Sequence, residues 1–146
     1  MLTGRYVQNN KTNRNDHSLF YNAGMDQNTV VIPLHAAGYR TGLVGKYLNG
    51  YPNPKTVSYT PPGWDFWRAN VGSTTTFYNY TLTNGQGGTQ AYGTGAQNYH
   101  DDVLGRAALD FINTTPQATP LFLWLSFHAP TRPQPPPHGS RPSFQA

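Results

Sequence analysis

The sequence predicts an α/β fold built on parallel strands, and three observations carry that expectation. Residues 100–113 repeat apolar side chains at helical spacing, residues 121–127 form an unbroken apolar run, and residues 29–45 read as helix, glycine turn and strand. A helix twice hands over to a strand, the pattern of half a βαβ unit. Ligands in such folds sit beyond the carboxyl ends of the strands.

Taken in order, residues 6–28 are dense in Asn, Asp, Thr and Ser, with Gly24 as a turn point, and read as irregular chain. Thr29 is placed to cap a short helix that runs to Ala37 and stops at Gly38. Val30, Val31, Leu34 and Ala37 fall on or near one side of it, and Pro33 is tolerated only within the first turn. Residues 40–44 read as a strand ended by Gly45, which sets Lys46 on the following loop.

From Gly50 to Tyr99 the chain is aromatic, small and polar, and Pro52, Pro54, Pro61 and Pro62 interrupt it. Residues 63–67 suit a compact strand or turn, residues 77–82 a second strand, and residues 85–88 a loop tip. This segment reads as an excursion from the core sheet, with little continuous apolar surface. In the helix at residues 100–113, Val103, Leu104, Ala107, Ala108, Phe111 and Ile112 recur at core spacing, while Asp101 and Asp102 suit the positive end of the dipole. The run at 121–127 has the composition of a strand covered on both faces. Beyond it Pro133, Pro135, Pro136, Pro137 and Pro142 predict a disordered, proline-rich tail at 131–146, so that 1–130 forms the folded part.

Composition narrows the function. The chain has 15 glycines and 13 prolines among 146 residues, above the roughly 12 in 100 of an average domain, so loops are extensive. Cysteine is absent, which excludes disulfides, thiolate metal sites and a thiol nucleophile within this span. The net charge of +4 comes from 10 basic and 6 acidic residues with no basic stripe, so no nucleic-acid partner is expected. No run approaches the roughly 18 apolar residues of a membrane span.

Two residues stand where chemistry is expected. Lys46 follows a strand and a glycine, a position from which an ammonium can neutralise a bound oxyanion, although solvated lysines also occupy such loops. His128 follows the second apolar strand and is a candidate anion donor, acid or base; a structural histidine fits the position equally well. Asp101 and Asp102 are explained by the helix start, and His17, His35 and His100 show no metal-ligand spacing, so no metal ligand is assigned. Trp64, Trp67, Tyr78 and Tyr80 suit either core packing or a sugar platform. Residues alone support no more than an α/β fragment.

The order of several motifs resembles the formylglycine-dependent type I sulfatases, most closely their N-acetylglucosamine-6-sulfatase-like branch. Leu2-Thr3-Gly4-Arg5 is similar to the tail of the first signature, and the stretch from Ala37 to Asn49, with Gly45-Lys46-Tyr47-Leu48-Asn49 at its end, is similar to the second. Pro62-Gly63-Trp64-Asp65, Tyr78-Asn79-Tyr80-Thr81-Leu82 and residues 102–111 continue the resemblance to about Pro133.

That resemblance implies an α/β alkaline-phosphatase-like sulfatase fold, incomplete here, as an interior fragment of the N-terminal domain. It implies sulfuric ester hydrolysis by the parent enzyme, with a formylglycine nucleophile and a calcium ion whose ligands lie outside this span. Lys46 is then a contact to the sulfate or its leaving oxygen, Asn49 and Thr131 bind substrate, and Arg5 braces the signature loop. Leu48 stands where other branches carry histidine, and Thr131 where Ala-Pro-His is usual, with His128 three residues early; a hydroxyl cannot replace imidazole as a general acid near neutral pH. The expected substrate is a sulfated amino sugar or glycan, the parent is expected to be secreted or periplasmic, and this span alone is expected to be inactive and marginally stable. The alternatives are a non-catalytic carbohydrate-binding product, its binding carried by residues 59–99, and a phosphatase or phosphodiesterase of the same fold.

Overall fold

The computed structural model describes residues 2–10, 12–53, 55–73 and 76–128. The expected tail at 131–146, Thr131 included, lies outside the described residues. In chain order the elements are α1 (Val7–Asn10), α2 (His17–Asn22), a 3-10 turn (Met25–Asn28), α3 (Val31–Ala36), β1 (Arg40–Gly45), β2 (Phe66–Ala69), β3 (Tyr80–Thr83), β4 (Thr89–Tyr92), a second 3-10 turn (Ala96–Asn98), α4 (His100–Asn113) and β5 (Leu121–Ser126).

Strand β1 is the centre of a three-stranded sheet, parallel to β2 on one side and to β5 on the other. From Thr41 to Gly45 it is wholly buried, as a parallel strand with both faces covered must be. Its side chains alternate between two cores: Leu43 joins Val31, Tyr47, Tyr51, Trp64 and Trp67, while Val44 joins Tyr80, Leu82, Val103 and Leu104. Helix α4 lies against the second face. A Cβ at Gly42 would stand 2.9 Å from the Phe111 ring, so the missing side chain lets the helix settle directly on the strand.

The excursion from Gly50 to Tyr99 supplies core, contrary to the sequence expectation. Its rings substitute for aliphatic surface: Trp67 packs at right angles to Tyr47 (5.1 Å between centroids) and Tyr51 (5.5 Å), and its indole N–H donates to the Tyr51 hydroxyl at 2.8 Å. Each such pair adds about 0.5–1.5 kcal/mol beyond the area it buries. The buried Asp26 closes this network by accepting the Tyr59 hydroxyl. Trp64, Trp67 and Tyr80 are therefore buried and offer no sugar platform.

Several local expectations change. Thr29 does not cap α3; Val30 occupies the cap position without a side-chain bond, and Val31 turns inward while Val30 and Ala37 face solvent. The polar segment before it contains α2, whose first turn is capped by Asp16 accepting the Leu19 N–H at 3.1 Å. Strand β3 starts later than expected and pairs with β4, which reading for apolar alternation overlooked. On α4 Ile112 is exposed rather than core-facing, and β5 is an edge strand with Leu121 and Leu125 about two-fifths exposed (40% and 38%) rather than covered on both faces.

Candidate functional site

Gly45 sets the geometry from which the site grows. It holds φ +105°, and a Cβ there would stand 2.1 Å from the Ser126 carbonyl oxygen, so only glycine lets β1 and β5 close together at their carboxyl ends. The next amide, that of Lys46, donates to the same carbonyl at 3.0 Å. Lys46 is then one wall of a cleft of about 410 Å³ that Leu2, Thr3, Arg14, Leu48 and Ser126 also line. Leu2 reaches it because its carbonyl accepts the Val30 N–H at 2.8 Å while its side chain packs on the aromatic core.

Lys46 is half-buried, and its ammonium donates to the Gly72 carbonyl at 3.4 Å. Burial lowers its pKa below the ordinary lysine value. Among the described residues no carboxylate forms an ion pair with it. Asp16 lines the same cleft, but its carboxylate is already bonded to the start of α2.

The other expected site residues take different places. Asn49 is exposed and acts through its main chain: its N–H donates to Asn15 Oδ1 at 3.3 Å and its carbonyl accepts the His17 N–H at 2.8 Å. Arg5 is exposed, with its main-chain N–H on Thr3 Oγ1 at 3.3 Å. His128 is buried just beyond β5, where its ring stacks on His100 at 4.0 Å and 5°. Burial first, then His100 and Lys46, push the His128 imidazole down to about 4, against upward pulls from Asp101 and the Thr76 main chain. At neutral pH the ring is therefore neutral, able to accept a proton or donate a hydrogen bond but not to act as a charged acid.

Sequence reading missed His100, Asp101 and Asn70 as neighbours of His128. Asp101 Oδ1 lies 2.9 Å from His100 Nδ1 and accepts the His128 main-chain N–H at 3.2 Å, and Asn70 Nδ2 lies 3.0 Å from His100 Nε2. These residues follow β2, open α4 and follow β5, so only the topology brings them together. The one local signal was the His-Asp pair at the helix start. Among the described residues no group of three or more His, Asp or Glu is placed to hold a metal ion.

Comparison with known proteins identifies the ancestry of this arrangement. A family model described as Sulfatase matches residues 1–145. The chain is 34% identical over 143 residues to a putative extracellular sulfatase Sulf-1 homolog of Caenorhabditis elegans, covering 93% of this chain and 19% of the relative. It is likewise 34% identical over 143 residues to the N-acetylglucosamine-6-sulfatase of Capra hircus, covering 91% of this chain and 25% of that enzyme. The chain thus spans a quarter or less of these relatives. Among solved structures, BT4656 in complex with its substrate D-glucosamine-2-N,6-O-disulfate superposes with a TM-score of 0.63 at 22% identity, over 88% of this chain and 23% of that one, a likeness of fold. The parallel sheet, the two signature segments meeting at one cleft and the family match agree: this chain belongs to the sulfatase family and has its α/β, alkaline-phosphatase-like fold.

Proposed function

We propose that this chain is part of a sulfuric ester hydrolase of the N-acetylglucosamine-6-sulfatase-like kind, and that its cleft receives the sulfate of a sulfated amino sugar or glycan. One observation carries the reading: Lys46, a half-buried lysine whose ammonium is bonded to a carbonyl and in no ion pair with a carboxylate among the described residues, lines a cleft at the carboxyl ends of β1 and β5. A cation so placed gains more from an anion than one in bulk water, because part of its hydration is already lost. Arg14 at the cleft wall adds positive charge of the same sign.

In the reaction Lys46 holds the sulfate oxygens and offsets charge developing on the leaving oxygen. The formylglycine nucleophile would come from outside this span, which contains no cysteine. Calcium, when bound, would polarise the sulfate, with ligands supplied from outside the described residues. On its own this chain binds the anion without turning it over. Secretion or export to a periplasm is the expected setting of the parent enzyme.

Calorimetric titration with glucosamine 6-sulfate and with glucosamine tests the reading. Only the sulfated sugar is expected to bind, and Lys46→Ala is expected to weaken it about tenfold or more, the loss of one charge-assisted contact of about 1.5–3 kcal/mol. Equal binding of both sugars would instead indicate a carbohydrate-binding product, and preference for glucosamine 6-phosphate would indicate a phosphoryl-transfer member of the fold.

A further inference from the structure

We propose that His100 is a positioning residue that fixes the ring plane of His128 and is coupled to it face to face. The consequence for catalysis rests on the sulfatase reading of the cleft; the pairing itself rests on geometry. A carboxylate only accepts, so the 2.9 Å contact with Asp101 Oδ1 assigns the proton of a neutral His100 to Nδ1. Nε2 is then an acceptor for the Asn70 amide N–H at 3.0 Å, the nearer of the two Asn70 side-chain atoms, with Oδ1 at 3.2 Å. Both ring nitrogens have partners and His100 is fully buried, so the ring has no freedom to turn.

His128 lies flat on this fixed ring, its centroid 4.0 Å away and its plane 5° off parallel. Its main-chain N–H is held by the same Asp101 oxygen that holds His100, so one carboxylate ties the start of α4 to the end of β5. Phe77 closes the pocket edge-on to His128, and Tyr80 stands edge-on to His100. The charged or titratable groups facing the pair are Lys46 from the loop after β1, Asp101 from α4 and Tyr80 from β3. Lys46 disfavours a second cation beside it, and burial disfavours charge on either ring. Burial and Lys46 thus keep His128 a neutral imidazole, and the face of His100 fixes its orientation.

Long-range nitrogen-15 spectra of the imidazoles, recorded on the full 146-residue chain without sulfate, test this directly. His100 is expected in the Nδ1–H form at neutral pH, with His128 neutral well below the ordinary histidine midpoint of about 6.5. Asn70→Asp places a second carboxylate against Nε2 and is expected to convert His100 to imidazolium and lower the His128 midpoint further. His100→Phe keeps a ring face that cannot take up a proton on acidification, and is expected to raise that midpoint by about one pH unit. An Nε2–H or charged His100 in the wild type, or a His128 midpoint unmoved by Asn70→Asp, would overturn the proposal, and the Asn70→Asp result stands even where His100→Phe fails to fold. Because sulfate is absent, failure of sugar binding leaves these spectra interpretable; an ordinary His128 titration alongside intact sugar binding rejects the pairing and leaves the cleft untouched.

Discussion

At the scale of single residues, the site depends on a glycine as much as on a lysine. Gly45→Ala forces a Cβ toward the Ser126 carbonyl at a positive φ, so β5 must move or β1 must twist. We expect a loss of about 3 kcal/mol or more in urea unfolding, the range of strained backbone combined with a core clash; a loss within experimental error would contradict the close approach of the two strands. The stacked histidines set the pH response. Two charges about 4 Å apart repel by about 4 kcal/mol at an effective dielectric of about 20, so the pair resists double protonation. His128 has a native value of about 4, below its ordinary 6.5, and burial also lowers His17 and His100. The unfolded chain therefore binds more protons between these values, so this stability is full above about pH 6.5 and is lost as pH falls toward 4. Thermal melts at pH 7 and pH 4.5 should show Tm lower by about 5 °C or more at the acid value. An unchanged or higher Tm on acidification would contradict the buried neutral pair.

At the scale of elements, legibility in the sequence followed the length of the periodic signal. Helix α4 was readable over its whole span because 14 residues give repeated core contacts at three and four spacing. Helix α2, six residues with two buried side chains, carried too short a pattern, and β4 is mostly exposed with no alternation to find. The position of Lys46 at a strand end was legible because a strand and a glycine precede it locally, and its role in a site stays a proposal. The Asn70, His100 and His128 grouping was not, since residues far apart in sequence meet only when three elements share one edge. Strand β5 shows the same limit in reverse: its apolar run suggested two covered faces, whereas Leu121, Leu125 and Phe127 are exposed and, among the described residues, no strand pairs with its outer edge. Such an edge invites association between copies. Leu125→Lys is expected to slow aggregation, measured by light scattering during heating, without lowering Tm by more than a degree or so; unchanged scattering would show that the edge is not the sticky surface.

At the scale of the whole molecule, the ends of a three-stranded parallel sheet border the Lys46 cleft, a hairpin lies apart from it, and no described helix is long and apolar enough to cross a membrane. The chain spans only 12% to 25% of its curated relatives, and the function proposed for it is anion recognition rather than turnover. Incubation of this chain with a chromogenic sulfate ester and calcium is expected to release no sulfate above the uncatalysed rate; measurable release would refute the proposed division of labour. The most direct measurement is the amide spectrum of the chain titrated with inorganic sulfate. Shifts should concentrate on Thr3, Lys46, Tyr47, Leu48 and Ser126 and vanish in Lys46→Ala, whereas shifts spread over exposed arginines, or surviving in that variant, would contradict a sulfate site centred on Lys46.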